Sequence, residues 1–457
     1  MAHRSGVTGL VSLAVIVTLA VSGGGCSRTA TPEERTPLSP TVAPSPTALP
    51  TATPEEPTAL PPTHTATATV VPSATLEEPT PLPPTVTATA TMVPSATPEP
   101  TPPPPTETLL PTATVVVEPT SSASSGQVAV RPKGSPLTYE PEFAGVSPAS
   151  APPSYDGSIN PLTGLPVSDP GTVLRRALLV RFGNDRAARP HSGISQAEVV
   201  FEEIMDAWWI TRLTGVYLQA EPDKVGPIRS ARPFLLELLP AFDGVLVYSG
   251  ASIGVSELLA QGNYNLIDET RDGDIFFRGT DRPSPHNLYT SVPAARQRVQ
   301  DRGWEHASAI RGWTFSAEAP AGADATRVDI PYPPTSVVRW TWDAGAGVYR
   351  RWVQGAAYTD LSTGQQVGCE NVVVLYAKHW ESDIVEDSRG ATAIGIALRG
   401  GERAQIIRDG RVIEGYWWRS ESTMLFQFID ANGNHIPLKP GHTWVEVVPS
   451  SYRLDIR

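Results

Sequence analysis

Lysine is almost missing. Four Lys stand against 31 Arg in a chain of 457 residues with a formal net charge of −12. Such a balance lacks the basic face that covers a phosphate backbone, and no nucleic-acid partner is expected. Cysteine is nearly absent as well, with only Cys26 and Cys369. Two cysteines build neither a disulfide scaffold nor a four-ligand zinc site. Phe, Tyr and Trp are missing from Cys26 through Thr138, so that stretch cannot bury a core. Beyond the N-terminus, no run of apolar residues is long enough to span a membrane as a helix. A phosphate loop, a nucleophile elbow, a Cys/His pair and a zinc signature are all lacking. No cofactor and no metal are expected.

What is present begins with an export signal. Arg4 is followed by an apolar stretch from Val7 to Val21, and then by Gly23-Gly24-Gly25-Cys26. Small residues before a cysteine resemble a lipobox, although Gly23 stands where an apolar residue is usual. Residues 1–26 are expected to be a lipoprotein signal ending at a lipidated Cys26. Two acyl chains on that cysteine suffice for stable anchoring in the bilayer. The expected location is the extracytoplasmic face of the cell membrane.

Residues 27–135 form a Pro/Thr-rich linker. Of the 48 Pro, 24 lie between Thr31 and Thr120. Residues Glu55 to Thr75 match Glu77 to Thr97 at 18 of 21 positions, a repeat of period 22. Without aromatics the segment cannot offset its ordering entropy, and its proline favours extended chain at about 3.1 Å per residue. A disordered spacer reaching at most on the order of 300 Å is expected.

All eleven Trp fall between Trp208 and Trp444, in the foldable remainder. Residues 136–320 are expected to be an α/β domain, and residues 321–457 a mainly antiparallel β domain. In the first, Arg176–Phe182, Ala197–Ile204, Ile210–Leu218 and Gly244–Ser249 carry strand patterns. Ser230–Phe242 and Ile253–Ala260 carry helical ones. In the second, apolar and polar residues alternate along Val337–Trp342 and Gly347–Trp352. Asn371–Tyr376 reads as a buried strand, Ala404–Ile413 as a hairpin turning at Asp409-Gly410, and Thr443–Val448 as a last strand. His379, Glu381, Asp383, Glu386 and Asp387 are expected in an acidic loop, and Cys369 in the core.

The most informative stretch is Gly226-Pro-Ile-Arg229-Ser230-Ala-Arg232-Pro233. Ser230 has the chemistry of an N-cap, and Pro233 is tolerated in a first helical turn. Two Arg at a helix start oppose the macrodipole, a conflict relieved by acids or by a bound anion. Arg can fork onto a carboxylate or phosphate. With Arg189 in the loop after the first strand and Arg212 in Ile210-Thr-Arg, the candidate anion-binding set is Arg189, Arg212, Arg229, Ser230 and Arg232. The competing reading pairs the Arg with Glu202, Glu203 or Asp206 as structure. Candidate acid–base groups are Glu202 and His286, with Asn287 beside them.

These stretches together resemble the YerB-like lipoprotein family, which carries the domain of unknown function DUF3048. The matching residues are Asn160-Pro-Leu-Thr-Gly-Leu-Pro, the run Ala188–Glu202, Ile210-Thr-Arg212, Gly226–Arg232, Pro285-His-Asn-Leu-Tyr289, Asn371-Val-Val-Val and Pro440-Gly-His-Thr-Trp444. The resemblance implies an α/β part followed by a β part outside the cell membrane, and no reaction. One departure is Asp206-Ala-Trp-Trp209, where the family tends to carry a small, Gly-containing segment. Three functions remain open. The chain could be an accessory protein recognising a cell-wall polymer or an envelope protein, an enzyme on phosphorylated or glycan material, or a structural module.

Overall fold

A computed structural model describes residues 133–308 and 310–457. The signal segment, Cys26 and linker residues 27–132 lie outside the described residues. The first strands are β1 (Leu178–Phe182), β2 (Val199–Met205), β3 (Ile210–Tyr217), β4 (Val245–Tyr248) and β5 (Asn265–Asp268). Each of β1, β2 and β4 is buried along its whole length. Near-continuous apolar runs are what strands covered on both faces require. Four helices join them: α1 (Leu235–Ala241), α2 (Ile253–Gln261), α3 (Glu269–Asp272) and α4 (Val292–Asp301). A short hairpin, β6 (Phe277–Arg278) and β7 (Leu288–Tyr289), precedes α4.

The second half is almost all strand. It comprises β8 (Ala323–Asp324), β9 (Arg327–Ile330), β10 (Val338–Asp343), β11 (Val348–Val353), β12 (Ala356–Ala357), β13 (Gly368–Cys369), β14 (Asn371–Ala377) and β15 (His379–Val385). After these come β16 (Thr392–Ile396), β17 (Gly400–Arg408), β18 (Arg411–Arg419), β19 (Gln427–Ile429), β20 (Thr443–Pro449) and β21 (Asp455–Ile456). The expected sequence of a mixed α/β half and a largely antiparallel β half is present. The hairpin turns at Asp409 and Gly410, both at positive φ. Of the acidic segment, His379, Glu381 and Asp383 lie on strand β15, antiparallel to β16, and Glu386 and Asp387 lie in the loop after it. The strand's interior residues Trp380 and Ser382 are buried, which an acid-rich pattern conceals.

The halves share one sheet. Its strand order is β19-β18-β17-β14-β20-β2-β3-β1-β4-β5, with β8 on β18. Strand β20, near the C-terminus, runs parallel to both β14 and β2 and sits between them. Each face of β2 therefore meets a different partner, because side chains alternate along a strand. On one face Phe201 packs against Phe234 and Phe242 around α1 and against Phe426. On the other, a smaller sheet (β12-β11-β10-β9-β21) closes over β2 and β20, with Trp340 edge-on to Trp444 at 5.4 Å.

Candidate functional site

Strands β1, β2, β4 and β5 all run the same way, so their carboxyl ends line one edge of the sheet. That edge is where open α/β sheets place ligands. Strands β1 and β4 pair only through Val180 and Val247, and the chain from Pro227 to Ala231 fills the gap beyond. Gly183 N donates to Pro227 O (3.0 Å), Arg229 N to Arg181 O (2.9 Å), Ser249 N to Arg229 O (3.1 Å) and Ala231 N to Gly250 O (3.0 Å). Gly183 is required here, because a Cβ would sit 2.4 Å from Arg229 Cγ.

This corrects the expected helix. Ser230 is no N-cap, since α1 begins at Leu235 with Phe234 before it and no side-chain cap. Hydrogen bonds to β1 and β4 hold residues 227–231 extended and outcompete the local helical signal. The anion argument from a helix start therefore falls, and the arginines must be weighed one by one.

Arg232 is a structural residue. It forks onto Asp206, with Nε to Oδ1 and Nη2 to Oδ2 both at 2.7 Å, and lies 3.3 Å from buried Glu386. Arg189 is likewise engaged, donating to Asn184 O at 2.8 Å and Thr335 O at 2.6 Å. Arg229 differs. Its guanidinium has one ion pair, to Asp185 at 3.5 Å, and a buried Nε without a hydrogen-bond partner. Arg212 differs more. It is 4% exposed and donates one hydrogen bond, Nη1 to Ser230 O at 3.0 Å, while Nε has no partner. No carboxylate reaches it within ion-pair distance among the described residues. Burial, then Arg232 and Arg181 beside it, hold its pKa well below the usual arginine value.

The cluster is balanced in number, four Arg against four carboxyl groups, but its pairing is uneven. Arg181, Arg212, Arg229 and Arg232 face Asp185, Glu203, Asp206 and Glu386. Burial pushes Glu203, the partner of Arg181, up to about 7, and raises Glu386 too. His286 approaches from the β6–β7 loop. Its Nδ1 is buried, without a hydrogen bond, and 3.9 Å from Asp185 Oδ2, the same oxygen that faces Arg229. Burial lowers its pKa, with Arg229 and Arg282 adding to that. Asn287 is held in the hairpin instead, accepting from Arg278 at 3.2 Å and donating to Gly279 O at 2.7 Å. The edge thus brings Arg229 and His286 to Asp185, with Arg212 behind them on Ser230 O.

Glu202 is not among them. It points to the opposite face, has no exposed surface, and is paired with Arg351. Thr211 Oγ1 at 2.5 Å and Asn184 Nδ2 at 3.2 Å also donate to it. Its in-register neighbour Glu446 accepts from Arg351 at 2.9 Å and Trp340 Nε1 at 2.7 Å. Burial, then the adjacent Glu202, pushes Glu446 up to about 8. Arg351 lies over Trp444 at 4.1 Å, a cation–π contact inside the intersheet core. Of the two acid–base candidates, only His286 therefore lies at the edge. His191 is a core residue too, bridging Gly183 O and Tyr358 OH, and burial drops its pKa to about 3.

Sequence reasoning missed Asp185, Arg351 and Glu446. A signal existed for two of them. Arg351 shares the inward parity of Tyr349 and Val353 on β11, and Glu446 interrupts the apolar run of β20. Charges at core parity must find one another. Away from the edge, a cavity of about 1150 Å³ lies between α1 and β18–β19, lined by Leu239, Phe242, Tyr264, Trp418 and Met424 among others. It contains none of the expected site residues.

The fold and site define a two-part α/β–β protein, its halves joined by β20 and its charged cluster at the carboxyl edge. A family model described as "Protein of unknown function (DUF3048) N-terminal domain" matches residues 162–305, and one described as the DUF3048 C-terminal domain matches residues 328–445. The chain belongs to the DUF3048 family. It is 30% identical over 294 residues to "Putative lipoprotein YerB" of Bacillus subtilis (strain 168), a span of 63% of this chain and 86% of that protein. The crystal structure of the YerB protein from Bacillus subtilis matches with a TM-score of 0.57 at 29% identity, covering 65% of this chain and 99% of that one. The relative is named as a lipoprotein, in accord with lipid anchoring, and neither name states a ligand or a reaction.

Proposed function

We propose that this chain is a membrane-anchored accessory protein of the cell envelope that binds an anionic group at the carboxyl edge, through Arg229, Arg212 and His286. The observation that carries the reading is Arg212: a buried guanidinium with one hydrogen bond and no carboxylate within ion-pair distance. A buried charge without a counterion is costly. An entering phosphate or carboxylate would supply the missing charge and the missing acceptors at once. Arg229 and His286, each part-exposed at 21% and 18%, form the approach, and Asp185 orients both. A wall polymer bearing phosphate, or an acidic segment of an envelope protein, fits this chemistry.

Thermal melting of the full chain with inorganic phosphate and with glycerol phosphate tests the reading. Either anion should raise the melting temperature of the wild type and leave Arg229→Ala unmoved. An equal rise in both proteins would place the anion elsewhere and reject the site.

A further inference from the structure

The three most exposed of the large apolar side chains among the described residues are Ile253 (81%), Trp209 (74%) and Val385 (55%). They come from three elements whose backbones adjoin. Trp209 is at the tip of the β2–β3 hairpin, where Ala207 N donates to Thr392 O at 3.0 Å. Thr392 is the register partner of Val385. Ile253 opens α2, and its neighbour Gly254 packs on Ile384, so closely that a Cβ would meet Ile384 Cγ2 at 3.0 Å. The tip is held in an uncommon backbone conformation: Asp206, Ala207 and Trp208 have φ of +39°, +49° and +66°. Three consecutive non-glycine residues in the left-handed region are strained. Trp208 turns inward, 6.0 Å from His379, and Trp209 turns outward.

Carboxylates outnumber cations around this patch. Arg232 pairs with Asp206 and Glu386, Arg389 with Asp387 at 3.1 Å, and Lys133 with Glu381 at 2.8 Å. The chain leading back toward Cys26 ends here as well. Gly134 N donates to Glu381 O and Asp383 N to Ser135 O, on the same strand, β15, that carries Val385. The patch therefore sits where the body joins the segment that runs to the anchor.

We infer that Trp209, Ile253 and Val385 form a docking face for the lipid bilayer surface, a second membrane contact on the globular body that rests on the anchoring of Cys26. Trp and aliphatic side chains projecting from loop tips suit the bilayer interface, where an indole has both an apolar and a polar neighbour. Three side chains bind a bilayer weakly on their own. An anchor in the same membrane raises the local concentration of surface, so weak contact is enough. Because carboxylates outnumber cations around the patch, the contact draws nothing from acidic lipid and is not weakened by salt.

The test uses the full lipidated chain in phosphatidylcholine vesicles, with and without brominated acyl chains. Flotation with the vesicles comes first. A chain that does not float has lost the anchor, which overturns the inference together with the anchoring reading. With flotation established, brominated lipid should quench emission by about the share of one Trp in eleven. That quenching should vanish in Trp209→Phe and in Ile253→Glu/Val385→Glu, and persist in high salt. Flotation without quenching, or quenching retained in Trp209→Phe, overturns the docking face and leaves the anchor standing. Protection of Trp209 by envelope proteins but not by lipid overturns the bilayer as its occupant.

Discussion

Arg351 and Arg229 lie on two sides of one sheet, and their surroundings are opposites. Arg351 is sealed between the sheets, paired with Glu202 and Glu446 and stacked on Trp444. Arg229 sits at the carboxyl edge, part-exposed, with one long ion pair and an unpartnered Nε. The difference separates arginine as structure from arginine as a site. What distinguishes them is whether the hydrogen-bonding positions are filled, not residue type or sequence context.

The largest effect should come from breaking the sealed side. Arg351→Ala would leave two buried carboxyls without their cation and remove a core-filling side chain, at a cost of about 3–5 kcal/mol. Urea unfolding would read it, and a loss under about 1 kcal/mol would remove Arg351 from the structural class. Next is Arg232→Ala, which breaks the fork to Asp206 and leaves Glu386 alone, at a cost of about 2–3 kcal/mol by the same measurement. A small effect there would move Arg232 back into the binding set.

The sealed side also predicts a pH dependence. Glu446 and Glu203 titrate near 8 and 7 in the folded chain against about 4.5 when unfolded. The folded state therefore holds more protons, and this stability is full below about pH 4.5 and lost as pH rises through 7 to 8. Buried His191 works oppositely, with its lowered pKa near 3 against 6.5. Its contribution is present above about 6.5 and lost toward acid. Between pH 6.5 and 9 the carboxyls dominate, and the urea midpoint should fall. Glu446→Gln keeps an acceptor for Trp340 and Arg351 and cannot ionise, so it should flatten that fall. An unchanged slope would mean that Glu446 holds no proton at neutral pH.

Much of this contrast was legible beforehand, and the remainder has physical causes. Strand patterns at β1, β2, β14 and β20 survive because strands buried on both faces leave long apolar runs. The hairpin at Asp409-Gly410 survives because its turn demands positive φ. The helix expected over Ser230–Phe242 starts only at Leu235, because Pro227–Ala231 finds its hydrogen bonds on β1 and beyond β4, a long-range choice that local capping chemistry cannot register. Arg189, Arg212, Arg229 and Arg232 were legible as a cluster. Their division into engaged and open depends on Asp206 and Thr335, which the chain brings in from distant positions, and on the turn that folds Asn184 O back onto Arg189. The missed knot of Glu202, Arg351 and Glu446 spans 244 positions between its two carboxylates, and only the parity of Arg351 on its strand hinted at it.

The smallest expected stability change belongs to Arg229→Ala, within about 1 kcal/mol, because the ion pair removed is long and part-exposed. Its binding effect should be large. Calorimetric titration of inorganic phosphate into the full chain, wild type beside Arg229→Ala and Arg189→Ala, is the most direct test. Saturable binding in the wild type should weaken at least about tenfold, or about 1.4 kcal/mol, in Arg229→Ala and persist in Arg189→Ala. Binding that is absent from the wild type, or untouched in Arg229→Ala, would contradict the assignment of the carboxyl edge as an anion site.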